Sequence, residues 1–525
     1  MKFLSKQTIL ENLIKQASVQ EIDTEDKLHI LKKRFSREYK IPLPKNITLQ
    51  ETYKIMLENG WNGDKNLQKL LRKRKIRTLS GVSVITVLTK PYPCPGRCVY
   101  CPSEPGMPKS YLSNEPGAMR AVLDNFSATD QVKTRLKSLA MQGHEIDKIE
   151  MIVLGGTFSF YEKKYKNEFI KELFDACNGV KSKSLSNAQE INETANSRII
   201  GLSLETRPDH INEEEVKYFR KLGSTKVQLG VQHTNDKILE KIQRGEKRSD
   251  TVKAIQLLKD AGFKIATHLM PNLPGSTPEL DIEMINEFFE NQDFKPDHIK
   301  LYPCVVTPYS ELENWFKKGE FKTYSDETLM KILIEMKKIV PKYVRIERLL
   351  RDIPGESIID GSKKTNFRQI LHSKSVKCRC IRCREIKDNN FEPKNVEFNL
   401  MEYDASNGKE FFLSYEDNTN NKLLSLLRLR FHSYSFSGEP HFIPELNNAS
   451  IIREVHTYGA QIKIGEGDSN KSQHSGLGRK LIEKAEDISK KAGYKRIAVI
   501  SGIGTRNYYR KWGYKLEGTY MIKEI

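Results

Sequence analysis

Cys94, Cys98 and Cys101 are separated by three and then two residues, on a Cys-Pro-Gly-Arg-Cys-Val-Tyr-Cys stretch that follows an apolar run. Iron–sulfur ligation requires thiolates. Three of them on one loop hold three irons of a four-iron cluster and leave the fourth open to a substrate or cofactor. The competing reading is a zinc knuckle short of one ligand. A second trio, Cys378, Cys380 and Cys383, falls within six residues. Structural zinc takes four nitrogen or sulfur ligands, so this trio needs another; Cys304 is the first candidate and His372 its rival. Such tight groups in a long chain point to metal rather than disulfides. Cys177 reads as a buried small hydrophobe.

A third constellation is Gln473-His-Ser-Gly476-Leu477-Gly478-Arg479, which opens a helical pattern. Glycines at a helix N-terminus let backbone N–H groups face a pyrophosphate, with the helix dipole and Arg479 adding positive charge. A fourth is the run from Lys69 to Arg77, where Lys69, Arg72, Lys73, Arg74, Lys75 and Arg77 crowd nine residues. A solvated helix face normally alternates charge signs, so this run reads as a nucleic-acid arm. The whole chain carries a formal charge of +19. That excess is either a lysine-rich surface or the footprint of a polyanionic partner.

These groups must be positioned by elements that the patterning outlines. With 525 residues, two or three domains are expected. No run of 18 apolar residues and no signal-peptide core is present, which points to a cytoplasmic protein with no membrane partner. Residues 1–80 read as a basic helical region. From 81 to 345, six short apolar runs alternate with helical stretches: Ser83–Leu88, Ile149–Leu154, Ile199–Leu204, Lys226–Val231, Phe263–Leu269 and His298–Tyr302. That rhythm predicts an α/β parallel barrel whose functional residues collect at the strands' C-terminal ends. Lys181–Asn196, rich in Ser and Asn, reads as a loop. Residues 346–395 form a connector with the second cysteine trio. Residues 396–525 run strands first, then helix, strand, helix, strand, an α+β domain. Lys163, Lys164, Lys300 and Tyr302 either line the cavity at the strand ends or serve ordinary surface or core duty, and the second reading is preferred.

The cysteine motif after a first strand resembles that of the radical S-adenosylmethionine superfamily, whose fold is a partial (β/α)6 barrel. Further strings fall at successive strand ends: Gly155-Gly156-Thr157 after the second, Glu205-Thr-Arg207 after the third, Gly230-Val-Gln232 after the fourth and His268-Leu-Met-Pro after the fifth. The resemblance implies a 4Fe–4S cluster on Cys94, Cys98 and Cys101 and S-adenosylmethionine bound with help from Gly155, Gly156, Thr157, Glu205, Arg207 and Gln232. Reductive cleavage of the cofactor then yields a 5′-deoxyadenosyl radical. The C-terminal order of strand, glycine loop, helix and strand resembles the GNAT acetyltransferases. In that family a tyrosine near the thioester serves as proton donor; Tyr509 is the first choice and Tyr508 the second.

The fusion of the two modules resembles the family of Elongator catalytic subunits, the tRNA uridine acetyltransferases. It is carried by Glu115-Pro-Gly-Ala-Met-Arg120, Gly155-Gly-Thr-Phe158, Glu205-Thr-Arg-Pro-Asp209 and Gly504-Thr-Arg-Asn-Tyr-Tyr-Arg510. The short gap between Cys94 and Cys98 is similar to the archaeal and bacterial branch, which implies a monomer or homodimer acting without accessory subunits. The resemblance implies acetyl-CoA as co-substrate and a tRNA anticodon stem-loop as partner, with 5-carboxymethyluridine formed at the wobble uridine. Its candidate acetyl-CoA contacts are Lys148, Glu454, Val455, His456, Thr457, Gln473, Gly476, Leu477, Gly478, Arg479 and Tyr509, of which Lys148 implies an interdomain site. The alternatives are a protein lysine acetyltransferase with a structural cluster and a non-catalytic tRNA scaffold.

Overall fold

A computed structural model of the chain describes residues 5–72, 81–387, 391–459 and 476–525. Four helices, Lys6–Val19, Glu25–Glu38, Asn46–Glu58 and Lys65–Leu71, close around their own core of Leu13, Leu31, Phe35 and Leu49. Gln50 ties this bundle to the next domain by donating to Leu71 O at 2.8 Å and Gln142 O at 3.2 Å.

Seven strands then form one all-parallel sheet in sequential order: β1 (Ser83–Leu88), β2 (Lys148–Leu154), β3 (Arg198–Thr206), β4 (Lys226–Gln232), β5 (Lys264–Leu269), β6 (His298–Leu301) and β7 (Arg345–Arg348). Two expectations are corrected. The sheet has a seventh strand, so the boundary drawn at 345 falls inside an element. The sequence of β7, Arg-Ile-Glu-Arg, has only one apolar residue and so gave no run to detect. The segment read as a loop contains the helix Leu185–Asn192, started by a Ser184 cap and held by Asn192, which accepts from Ile199 N at 2.8 Å and donates to Asn178 Oδ1.

Fully buried parallel strands usually read as continuous apolar runs. These alternate instead. Ile85, Val87, Ile149, Met151, Val153, Val227, Leu229, Val231, Ile299, Leu301 and Ile346 pack outward against helices in a single apolar core. Many of the intervening positions are polar, among them Glu150, Glu205, Lys226, Gln228, Lys264, His268, His298, Lys300 and Glu347, and all of these but Lys264 are linked by contacts across the barrel interior. The sheet therefore encloses a polar lumen where comparable barrels carry branched aliphatic layers.

A second seven-stranded sheet is built from β8 (Val396–Ala405), β9 (Gly408–Asp417), β10 (Lys422–Phe431), β11 (Ala449–Thr457), β12 (Arg496–Val499), β13 (Lys515–Glu517) and β14 (Tyr520–Glu524). Its order is 13-14-12-11-10-9-8, antiparallel except for β11 against β12. That parallel pairing ends at Ile452 with Val499, and the β10–β11 register shifts beside it. Such a bulge re-aims a strand and recurs next to active sites. The stretch Glu454–Thr457 thus leaves β12 and opens a slot.

The two sheets dock through charge at the N-terminal ends of the barrel strands. Arg453 donates to Asp297 at 2.6 and 3.0 Å and to Glu410 at 3.0 Å. Arg428 lies 3.4 Å from the same Asp297, and Arg430 pairs with Asp260 at 2.5 Å. Arg506 and Arg510 of the Gly504–Arg510 string both reach Glu193. Gly502 is required by contact: a Cβ there would overlap Ile200 O of β3.

Candidate active site

The C-terminal ends of the barrel strands line a cavity of about 440 Å³ that contains Cys94, Cys98, Cys101, Gly156, Thr157, Glu205, Arg207 and Gln232. Four successive strand ends, those of β1 to β4, bring together residues spread over 139 positions, from 94 to 232. The thiols are packed by polar neighbours. Arg244 Nη1 lies 3.5 Å from Cys98 Sγ, Thr157 Oγ1 lies 3.6 Å from Cys94 Sγ, and Gly96 N donates to Cys94 Sγ at 3.4 Å. Burial, then the charge of neighbouring Cys98, pushes the Cys101 thiol up to about 12, so the trio suits positively charged ligands that relieve both effects. Two further features fit an anionic cofactor group. A Cβ on Gly96 would strike Arg207 Nη1, and that same buried nitrogen has no hydrogen-bond partner among the described residues.

Gly155 sits at φ +136°, and a Cβ there would overlap Thr89 Oγ1. Gly155→Ala must therefore shift the second-strand turn, with about 1–3 kcal/mol of strain. Its expected effect is S-adenosylmethionine binding weakened by about tenfold or more, read by calorimetric titration of the reconstituted protein.

Sequence reasoning passed over several cavity residues. Tyr111 donates to Glu205 Oε2 at 2.8 Å. Arg351 holds Glu115 through contacts at 2.8 and 3.1 Å and covers the Tyr111 ring. Arg244 pairs with Glu246 at 2.9 Å. The only sequence signal was Glu115 within the quoted Glu-Pro-Gly string; Arg244 and Arg351 are isolated arginines in loops. Lys300 and Tyr302, assigned ordinary duty, line the cavity instead. Burial is the first cause of the lowering of Lys300 to about 8, against the pull of Glu347.

At the opposite mouth of the barrel, Val455, Thr457, Gly478 and Tyr508 converge. A Cβ on Gly478 would stand 3.5 Å from Thr457 Oγ1 and Tyr508 Oη and 3.7 Å from Val455. Gly476, in a left-handed conformation, and Leu477 begin the helix Leu477–Lys491 at this point. His456 stacks on Tyr458. Lys148 starts β2 beside Arg198, which abuts Gly504. Two candidates are placed differently from expectation. Tyr509 is 6% exposed within the C-terminal core, whereas Tyr508 is 39% exposed and faces the slot. The Glu454 side chain is committed to Arg428 and to Lys264, at 2.9 and 3.1 Å. Arg479 lies over the Trp512 ring and pairs with Glu483.

The second trio also departs from expectation. Cys378, Cys380 and Cys383 bring their sulfurs within 4.8 Å of one another, and neither Cys304 nor His372 joins that group. Cys304 is buried in an apolar cluster with Val99, Ile238 and Leu273, and His372 is exposed. Lys337 Nζ lies 3.8 Å from Cys383 Sγ. Of the basic run, Lys69 is exposed and Arg72 is half-buried against Gly143. Lys73, Arg74, Lys75, Arg77 and Gln473 lie outside the described residues.

A parallel barrel with a three-cysteine loop and glycine turn at its C-terminal mouth defines a radical S-adenosylmethionine protein. The family model of the radical SAM superfamily matches residues 92–288, and that of the radical SAM C-terminal domain matches 296–377. A radical SAM domain implies a 4Fe–4S cluster and S-adenosylmethionine. The chain is 44% identical to the tRNA uridine(34) acetyltransferase of Methanocaldococcus jannaschii, covering 88% of both chains. It is 38% identical to Elongator complex protein 3 of Homo sapiens over 88% of this chain and 87% of that one. The solved archaeal Elp3 of Methanocaldococcus infernus, with residues 1–46 deleted, superposes with a TM-score of 0.74 at 40% identity, over 85% of this chain and 99% of that one. The chain belongs to the tRNA uridine(34) acetyltransferase family, in which Elongator complex protein 3 also falls. Among the described residues, no helix is long and apolar enough to cross a membrane.

Proposed function

We propose that this protein is a cytoplasmic enzyme that converts the wobble uridine of tRNA to 5-carboxymethyluridine, with acetyl-CoA as the acyl donor. One observation carries the reading: the cysteine cavity lies at the C-terminal ends of the barrel strands, and the strand that bears Glu454–Thr457 meets the other end of the same barrel through the Lys264–Glu454 pair. When bound, the cluster and S-adenosylmethionine supply abstraction of a hydrogen atom from an unactivated C–H bond. The chain's own residues do the rest. Cys94, Cys98 and Cys101 hold the cluster, while Gly155, Gly156, Thr157, Glu205, Arg207 and Gln232 bind and orient the cofactor. Val455, Thr457, Leu477, Gly478 and Arg479 receive the acyl donor's pantetheine and pyrophosphate, with Lys148 contributing from the barrel. Tyr508 rather than Tyr509 stands where a proton donor can reach the thioester. The exposed Lys69 and the charge of +19 suit an anticodon stem-loop, whose bases are read splayed from their stack.

The reading is tested with anaerobic, cluster-reconstituted protein given tRNA, acetyl-CoA and reductant. Nucleoside analysis finds carboxymethyluridine only when S-adenosylmethionine is present. Acetylated lysine with unmodified tRNA supports a protein acetyltransferase instead. The second cysteine trio we assign to zinc, with three thiolates from the chain and no fourth protein ligand among the described residues; its helix Ile381–Arg384 is joined to the barrel by Ile381 N, which donates to Val344 O at 2.9 Å. Chelation is expected to remove one zinc per chain and to lower the thermal midpoint, measured by metal analysis and calorimetry.

A further inference from the structure

Midway down the barrel lumen, side chains from four strands form a charged layer. Glu347 of β7 accepts from Lys226 of β4 and from His298 Nδ1 of β6, the latter at 2.6 Å, and lies 3.7 Å from Lys300. Lys226 also lies 3.8 Å from Glu150 of β2. Above the layer is the cysteine cavity, for which Glu347 and Lys300 are the floor. Below it is the interdomain pair of Lys264 with Glu454 at 3.1 Å, on the strand that opens the acyl-donor slot. The layer thus separates the two half-sites that the reading above brings together.

We propose that the Lys226–Glu347–His298 layer is a displaceable partition between the cofactor cavity and the acyl-donor slot, and that Glu347 is the positioning residue that sets it. The inference rests on the proposed function. Three observations support it. A layer kept for stability alone is better made of packed apolar side chains, because well-packed hydrophobic replacements of buried ion pairs are often neutral or stabilising. Barrel interiors ordinarily use such residues. Second, Glu347 stands on the terminal strand, four residues long and paired on one side only, so it can move without breaking a central ladder. Third, when Glu347 swings away, Lys226 retains Glu150 and Lys300 retains Gln228, so both lysines keep a polar partner. The Glu150 and Glu347 side chains keep 28% and 17% of their exposure, so the layer borders open space and is not sealed in packed core.

The test uses the full chain and a CoA thioester whose acyl group carries a photoreactive diazirine. After irradiation, labelled peptides are mapped by mass spectrometry. In the wild type, the label is expected mainly at the layer itself, on the peptides that carry His298 and Glu347, with little on Glu205 or Tyr302 above it. Glu347→Gln, which keeps the shape and removes the charge, is expected to raise labelling at Glu205 and Tyr302 about tenfold, the change that follows from losing one charge-assisted contact. Glu347→Asp, which keeps the charge, returns the map toward wild type. Thermal midpoints and separate titrations of S-adenosylmethionine and acetyl-CoA accompany each variant, because a merely structural role would lower all of these and leave the label distribution unchanged. A label confined to the C-terminal domain, or a map that Glu347→Gln does not alter, overturns the partition while leaving the proposed function standing. Failure of acetyl-CoA itself to bind sinks both.

Discussion

Cys98→Ser is expected to abolish formation of carboxymethyluridine while leaving tRNA affinity within about twofold, a change of less than roughly 0.5 kcal/mol. Cys98 is the central member of the trio and is 8% exposed. Its sulfur faces the fully buried guanidinium of Arg244 at 3.5 Å. A hydroxyl of the same shape folds in its place but does not ionise at neutral pH, and iron–sulfur clusters require thiolates. Iron and sulfide content after reconstitution should fall with activity. The basic N-terminal surface lies in a domain with its own core, so tRNA binding and its salt dependence should persist. A Cys98→Ser protein that still makes product with a full iron complement would remove the radical chemistry from this site.

The second large effect concerns the interdomain charges. Arg453→Met is expected to destabilise the protein by about 3–5 kcal/mol, the cost of breaking a buried pair from one side. Asp297 and Glu410, both wholly buried, would lose their shared guanidinium, and Phe263 O would lose its donor at 2.7 Å. Asp297→Asn should cost a similar amount by leaving Arg453 and Arg428 short of charge. It also makes a pH signature. Burial acts to raise the Asp297 carboxyl, but Arg453 and Arg428 overcome it and hold the group well below the usual range. A depressed carboxylate stabilises the fold above its unfolded pKa of about 3.9, and that stability is lost as pH falls below it. The wild type should therefore show a steeper acid loss of thermal stability than Asp297→Asn, measured by calorimetry across pH. Equal slopes would remove Asp297 from the docking account.

Much of the site was legible because its chemistry is local. The Cys94–Cys101 loop, the Gly155-Gly156 turn and the Gly476–Gly478 helix start each need particular residues at fixed short spacing, and such spacing survives in one dimension. The tyrosine pair was not separable in this way. Tyr508 and Tyr509 are neighbours in sequence, and only the direction in which their short helix presents them decides that one faces the slot and the other the core. Cys304 failed as a zinc ligand for a similar reason, since its type suits the metal but its fold position is an apolar cluster beneath the cysteine loop.

The seventh strand and the lumen show the complementary limit. Strands such as Lys-Val-Gln-Leu-Gly and Arg-Ile-Glu-Arg alternate in plain view, yet alternation on its own describes a half-exposed strand as well as a buried one. What the sequence by itself determined is the list of groups able to do chemistry, the two modules that carry them and the order of their elements, because motif spacing and hydrophobic period are properties of the chain. What only the tertiary structure decided is that many polar positions of the barrel strands turn inward, that Glu347, Lys226 and His298 meet across 122 positions of sequence, and that Glu454 of the second domain reaches Lys264 at the start of β5. Curling of the open sheet chooses inside from outside, and that choice exists only once the seven strands are in register.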